Sequence, residues 1–202
     1  MTLVKVPAAR DQVMALKRKS APRPRWAPPS RFVTSCLAQT GNDRSGVAAD
    51  FGSGYGRNTL AAAMQGWNII AFDLDRNALT SLMTHYGMHR AELGGQITAV
   101  CADLSQRSPI RPATFALVML IEYSIEIDVR AVISAVRTDG YLILETFQDR
   151  GENWRGLPSP GALHTLLGNE FDLLRYSETP CRQAESARCT TKVFARRHSH
   201  SL

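Results

Sequence analysis

Apolar and polar positions along this chain follow two periods, and the switches between them mark its elements. Val47-Ala48-Ala49 is a short apolar run that stops at Asp50, and Asn58-Thr59-Leu60-Ala61-Ala62-Ala63-Met64 reads as a helix. Trp67–Phe72 reads as a buried strand ended by Asp73 and Asn77–Leu82 as a helix; Gln96–Val100 is a third strand, closed by Cys101-Ala102-Asp103-Leu104. Phe115–Leu120 is continuously apolar, as expected of a strand buried on both faces of a parallel sheet. Val129, Val132, Ile133 and Val136 recur at i, i+3, i+4 and i+7, which predicts an amphipathic helix from about Asp128 to Arg137. Tyr141–Thr146 is the next strand, followed by a helix near Pro160–Leu167 and two final strands over Phe171–Ser177 and Thr190–Ala195. This alternation predicts an α/β fold with a doubly wound parallel sheet, and no internal repeat or second domain is visible.

The connection after the first strand carries the chemistry. Asp50-Phe51-Gly52-Ser53-Gly54-Tyr55-Gly56 places a glycine turn between strand and helix, where a ligand can approach bare backbone. A dinucleotide fingerprint would need a third glycine at position 57, and Arg57 stands there instead. The pattern is D-x-G-x-G-x-G. Its acid would repel a pyrophosphate but suits a ligand with an ammonium group, such as the methionine end of S-adenosylmethionine. Asp73, at the tip of the next strand, is placed to accept hydrogen bonds from two ribose hydroxyls. Asp75 is the alternative, but it precedes a helix and reads better as its N-cap. Asp103, at the tip of the third strand, could accept the exocyclic amine of adenine, although Asp-Leu after a strand is also a common turn.

These residues resemble those of class I S-adenosylmethionine-dependent methyltransferases, over nearly the whole chain from about Trp26 to Arg196. The likeness rests on Ala49–Asn58, Ala71-Phe72-Asp73, Ala102-Asp103-Leu104 and Asp139–Phe147. Within that superfamily the chain looks like the small-molecule group that includes tellurite-resistance and thiopurine-type enzymes. The resemblance implies a seven-stranded sheet with the last strand antiparallel. It implies a cofactor site of Asp50, Gly52, Ser53, Gly54, Gly56, Arg57, Asn58, Asp73, Leu74, Asp103, Leu104 and Ile121. Two positions depart from the family pattern. Ala116 stands where an Asp is usual before the fourth strand, and Asp139-Gly140 replaces a Pro-Gly or Gly-Gly turn with another good turn pair.

Charge and composition refine this picture. Residues 1–31 hold eight Lys or Arg against one acid, a local net of +7 that leaves −1 for the rest of the chain. The basic character therefore belongs to an arm, with one short helix expected over Asp11–Lys19 and a proline-punctuated connector at Arg23–Pro29. The arm reads either as a lid or phosphate-contacting segment, or as a solvated terminus. The expected organisation is a basic arm over 1–30, a methyltransferase domain over 31–197 and a tail over 198–202. The N-terminus lacks the apolar run of a secretory signal, and Cys36, Cys101, Cys181 and Cys189 form no C-x-x-C pair, so a cytoplasmic protein with free thiols is expected. No apolar run is long enough to cross a membrane. Walker-type and serine-elbow motifs are absent, which removes two other α/β enzyme classes. His85 and His89 have metal-compatible spacing but no matching third ligand, so no metal is expected.

The acceptor side is less defined. Methyl transfer from a sulfonium is an in-line displacement, for which the protein mainly positions a nucleophile and excludes water. Glu122 and Tyr123, just after the fourth strand, are candidates for acid/base or orienting roles, with a solvated Glu122 and a packed Tyr123 as the alternative. Glu145 is a similar candidate at the tip of the fifth strand, or a partner in a turn hydrogen bond. Trp26, Tyr123, Trp154 and the Gly151–Pro160 loop are the expected walls of the acceptor pocket. A small-molecule acceptor fits best. RNA or protein bound through the arm, or a non-catalytic cofactor-binding module, are the alternatives.

Overall fold

The computed structural model describes residues 27–42, 44–105, 110–123, 127–148, 158–179 and 190–199. The expected arm helix over Asp11–Lys19, Trp26 and Trp154 lie outside them.

Among the described residues, five α-helices and seven strands follow one another. They are α1 (Arg31–Leu37), β1 (Val47–Phe51), α2 (Arg57–Met64), β2 (Asn68–Asp73), α3 (Arg76–His89), β3 (Ile97–Cys101), β4 (Phe115–Ile121), α4 (Val129–Ser134), β5 (Val136–Phe147), α5 (Ala162–Leu167), β6 (Phe171–Thr179) and β7 (Thr190–Arg197). The strands form one sheet in the order β3-β2-β1-β4-β5-β7-β6. Pairing is parallel from β3 through β5, and β7 runs antiparallel to both β5 and β6.

Burial explains the order. Every residue of β4 is buried, as its apolar run requires of a central strand. One face of the sheet packs Leu117, Met119, Ile143 and Phe194 under α1, α2 and α3, with Phe32, Leu37 and Leu82 as their partners. The other packs Phe51, Leu120, Leu144 and Val193 with Val132 of α4 and Leu163 of α5. Phe51 stacks on Phe72 at 4.9 Å between ring centroids, and Phe115 meets both rings edge-on. Such aromatic pairs add about 0.5–1.5 kcal/mol beyond the area they bury. Ala116, the departure from the family pattern, is buried, and a Cβ on Gly46 would meet its Cβ at 3.0 Å.

Two expectations are corrected. The helix read over Asp128–Arg137 ends at Ser134, because Thr114 and Phe115 donate their N–H groups to the Ala135 carbonyl at 2.9 Å and draw the chain into the sheet. Val136 and Arg137 accordingly begin β5, which is twelve residues long and starts before Tyr141. Asp139-Gly140 is then not a turn ahead of the strand but a kink inside it. Asp139 has φ +61°, and a Cβ on Gly140 would lie 2.8 Å from the Arg137 carbonyl oxygen. Helix α1 went unread in the sequence, although Phe32, Val33, Cys36 and Leu37 bury one side of it.

Candidate active site

The sheet changes winding direction between β1 and β4, and such switch points open a crevice at the carboxyl ends of the strands. The glycine loop sits at that edge. Gly52 and Ser53 donate their N–H groups to the Phe72 carbonyl at 2.8 and 3.0 Å, which ties the loop to β2. All three glycines have left-handed φ, +74°, +53° and +79°. Their surroundings differ. A Cβ on Gly56 would lie 2.3 Å from Leu82 Cδ1, so this glycine lets α2 close on α3. Among the described residues, a Cβ on Gly54 would meet nothing within 4 Å, and one on Gly52 would approach Ile127 at 3.5 Å and Tyr123 at 4.0 Å. Gly54 leaves the loop bare toward open space, whereas Gly52 faces the segment beyond β4.

The two acids take different places. Asp75 caps α3, accepting from the Asn77 and Ala78 N–H groups at 2.9 and 3.2 Å. Asp73 turns toward the loop, where Oδ2 accepts from the Gly54 N–H at 2.6 Å and Oδ1 from the Asp75 N–H at 2.8 Å. Its neighbour Leu74 is an exposed apolar side chain at the same strand tip.

Asp50 occupies a different place. It is 2 % exposed, and its Oδ2 accepts the Thr59 hydroxyl at 2.6 Å, so the carboxylate lies beneath the loop and braces α2. Burial pushes its carboxyl up to about 6, with the Thr59 hydroxyl opposing that shift and the Asp73 charge adding to it. Ser53 Oγ is buried in the loop with no hydrogen-bond partner among the described residues. An orphaned hydroxyl is costly unless a ligand completes it.

Asp103 is exposed, with Oδ1 accepting the N–H and hydroxyl of Ser105 at 3.0 and 2.6 Å; this carboxylate braces the turn after β3. Leu104 and Ile121 are buried in the two cores and support the crevice from below.

Beyond β4 the side chains form a polar chain. Glu122 has φ +50°, a left-handed conformation that costs a non-glycine residue about 1–3 kcal/mol and collects at functional sites. Its Oε2 pairs with Arg57 Nη2 at 3.2 Å, and Arg57 also donates to the Pro28 carbonyl at 3.4 Å. Asn58 is buried and accepts the Ser30 N–H at 3.0 Å through Oδ1. The Ser30 hydroxyl donates to Glu145 Oε2 at 2.6 Å, while Lys192 pairs with Glu145 Oε1 at 3.0 Å. With both oxygens engaged, Glu145 joins the entering N-terminal segment to β7. Tyr123 is half-buried beside Thr146, and burial raises its phenol above the usual range, with the Thr146 hydrogen bond opposing that shift. A protonated phenol can donate a hydrogen bond but cannot act as a base at neutral pH.

A cavity of about 260 Å³ opens next to Tyr123. Ile127, Val129, Pro158, Ala162, Leu163 and Leu166 complete its apolar wall, with Arg130 also in the lining. Pro158 comes from the loop expected to wall the acceptor pocket. Ile127, Leu163 and the bridging Ser30 were missed in the sequence, because short apolar runs and lone serines carry no signal of long-range contact. Tilted at 4.5 Å, the rings of His85 and His89 lie together, and His89 faces Glu92 at 3.4 Å. Among the described residues no three metal-ligating side chains converge.

A family of methyltransferase domains matches residues 49–143, a span that runs from the glycine loop through β4 into β5. The match supports a class I S-adenosylmethionine-dependent methyltransferase. No curated protein sequence matches this chain. Solved structures share this chain's fold at low identity. Magnesium protoporphyrin IX methyltransferase from Synechocystis PCC 6803, with bound S-adenosylmethionine, is 18% identical; the match covers 97% of this chain and 86% of that one, with a TM-score of 0.61. TehB from Haemophilus influenzae is 14% identical over 82% of this chain and 62% of its own, with a TM-score of 0.63. A geranyl diphosphate methyltransferase in complex with the same cofactor is 12% identical over 82% and 84%, with a TM-score of 0.61.

The crevice fits S-adenosylmethionine. S-adenosylmethionine supplies an electrophilic methyl on a sulfonium; the chain offers the unpartnered Ser53 hydroxyl, the open backbone of Gly54, the Asp73 carboxylate and the exposed Leu74 toward it.

Proposed function

We propose that the methyltransferase methylates a compact, largely apolar small molecule seated in the Tyr123 cavity. The observation that carries this reading is a shared wall: Tyr123 and Ile127 line the cavity and also face Gly52 of the glycine loop. An acceptor there would lie against the segment that borders the cofactor loop, as an in-line displacement requires. The apolar lining removes water from the nucleophile, and the protonated Tyr123 phenol can orient an acceptor oxygen or nitrogen by donating to it. Asp73 would hold the ribose, Arg57 with its Glu122 partner would meet the cofactor carboxylate, and Asp50 would act through the loop it braces. Glu145, with both oxygens engaged, is a positioning group in this reading. The acceptors named for the porphyrin and geranyl diphosphate enzymes are likewise small molecules.

The second reading has one observation in its favour, the net +7 of residues 1–31, which suits RNA. A screen with methyl-labelled cofactor over metabolites, peptides and RNA separates the two. Label in a metabolite is expected, and label confined to RNA or peptide would overturn the small-molecule reading. With the acceptor found, Ala162→Leu should fill the cavity and raise its KM roughly tenfold or more, about 1.4 kcal/mol or more, while cofactor affinity stays unchanged. An unaltered KM would remove the acceptor from this cavity.

A further inference from the structure

Across the sheet from the Tyr123 cavity, a second depression of about 590 Å³ lies between α1 and the β6–β7 edge. Arg31, Phe32, Leu174, Arg175, Tyr176 and Lys192 line it. We propose that this groove binds the phosphate group of a small phosphate ester, whose apolar body rests against Phe32 and Leu174.

The cations are held in place before any ligand arrives. The Arg175 guanidinium lies 5.2 Å from the centroid of the Phe32 ring and donates through Nη1 to Ser35 Oγ at 2.8 Å. The Lys192 ammonium lies 5.6 Å from the centroid of that same ring and 3.0 Å from Glu145 Oε1. Two charges are thus fixed around one aromatic ring, and Arg31, in the first turn of α1, adds a third. Such preorganisation lowers the ordering cost of binding. The opposing charge is already spent, since Glu145 is bonded to both Lys192 and the Ser30 hydroxyl. The Cys36 thiol beside Arg175 adds none, because burial pushes it up to about 11. The groove is therefore cationic on balance. A phosphate, with its several acceptor oxygens, uses the remaining donors of two guanidinium forks and an ammonium better than a single carboxylate would. The volume far exceeds what a bare phosphate fills, and the exposed Leu174 side chain gives the rest of the ligand an apolar surface.

The site is separate from the cofactor crevice, although the bonds from Lys192 through Glu145 and Ser30 to Asn58 connect the two. Titration calorimetry of the full chain with phenyl phosphate tests the groove. One saturable site is expected, tighter for phenyl phosphate than for inorganic phosphate and weakening with added salt. Arg175→Gln should weaken phenyl phosphate about tenfold or more and Arg31→Gln by a smaller factor, with S-adenosylmethionine affinity unchanged in both. The proposal is overturned if wild type shows no saturable binding or if both variants bind phenyl phosphate as wild type does. It is also overturned if cofactor affinity falls in parallel, which would make the groove part of the crevice. A single-stranded RNA that Arg175→Gln releases but phenyl phosphate cannot displace would replace it with a nucleic-acid surface. Failure of wild type to bind S-adenosylmethionine would bear on the cofactor reading alone.

Discussion

The two sides of the crevice are built by different means. On the β1–β2 side, recognition is local: three left-handed glycines, one bracing acid and one strand-tip acid fall between positions 50 and 73. On the β4–β5 side, Ser30, Arg57, Glu122, Glu145 and Lys192 come together from positions spread over most of the chain. The local side presents backbone and short side chains to a ligand of fixed shape. The distant side joins a network of long charged side chains to the segment that walls the apolar Tyr123 cavity, and both can change with the acceptor while the loop stays the same. Cofactor chemistry should therefore fail sharply on single changes at the loop, and acceptor chemistry should respond gradually to changes beyond β4.

The largest effect is expected at Asp73. Asp73→Ala removes a carboxylate that orders Gly54 and would accept two ribose hydroxyls, each charge-assisted bond being worth about 1.5–3 kcal/mol. Cofactor affinity should fall at least about a hundredfold. Asp75→Ala should instead lower stability by about 1 kcal/mol through loss of the α3 cap, with affinity within a few-fold of wild type. Equal affinities in two folded variants would erase the distinction between the two acids.

Next come the glycines, which sharpen the comparison inside the loop. Gly56→Ala adds a methyl within 2.3 Å of Leu82 and a left-handed alanine, for a combined loss of about 2–4 kcal/mol in stability. Gly54→Ala meets no protein atom, so only the backbone term of about 1–2 kcal/mol applies, and its main effect should be on cofactor binding. Urea denaturation alongside cofactor titration reads both. A Gly54 variant that binds normally would show that no ligand approaches the loop there.

What could be read in the sequence divides along the same line. The D-x-G-x-G-x-G loop, Asp73 and the Asp75 cap lie within a short stretch whose spacing is set by one strand, one turn and one helix, so residue types alone located them. Continuous burial likewise made β4 legible. The kink at Asp139 was not, because the Asp-Gly pair fits a turn equally well and its conformation comes from β4 packing against β5. Nor was the brace at Asp50. The motif places an acid there, but only the packing of Thr59 of α2 against it shows the carboxylate beneath the loop. The Tyr123 cavity needed Ile127 and Leu163, positions that neither period nor motif singles out.

A smaller effect follows from Asp50. Its carboxyl is pushed up to about 6 from 3.8, and a raised carboxyl contributes stability that is fully present below the unfolded value and lost as pH rises through the folded one. Wild type should lose about 1–3 kcal/mol relative to Asp50→Asn between pH 4 and pH 7.5, in the absence of cofactor. With S-adenosylmethionine, the cationic ligand favours the ionised form, so wild-type affinity should rise with pH through about 6 while that of the Asn variant stays flat. Parallel stability profiles for the two proteins would place the Asp50 charge outside this balance.

The smallest effect on the cofactor is expected from the basic arm. The described chain enters the site at Pro28 and Ser30, whose bonds to Arg57, Asn58 and Glu145 are made by residues 28 and 30 themselves. Deleting residues 1–22 removes five of the eight cations and leaves those bonds in place, so S-adenosylmethionine affinity should stay within a few-fold of the full chain. Ser30→Ala keeps the N–H that Asn58 accepts and removes only the hydroxyl bond to Glu145, so it too should leave cofactor affinity within a few-fold of wild type. For the acceptor, the arm tests which side of the comparison it serves. With a neutral small molecule, affinity should respond slightly to salt in both the full and the shortened chain. With an anionic acceptor, the deletion should weaken binding and flatten its salt dependence, because fewer charges are neutralised. A folded deletion variant that loses cofactor binding would assign the arm to the local side of the crevice, and the division between the two sides would no longer hold.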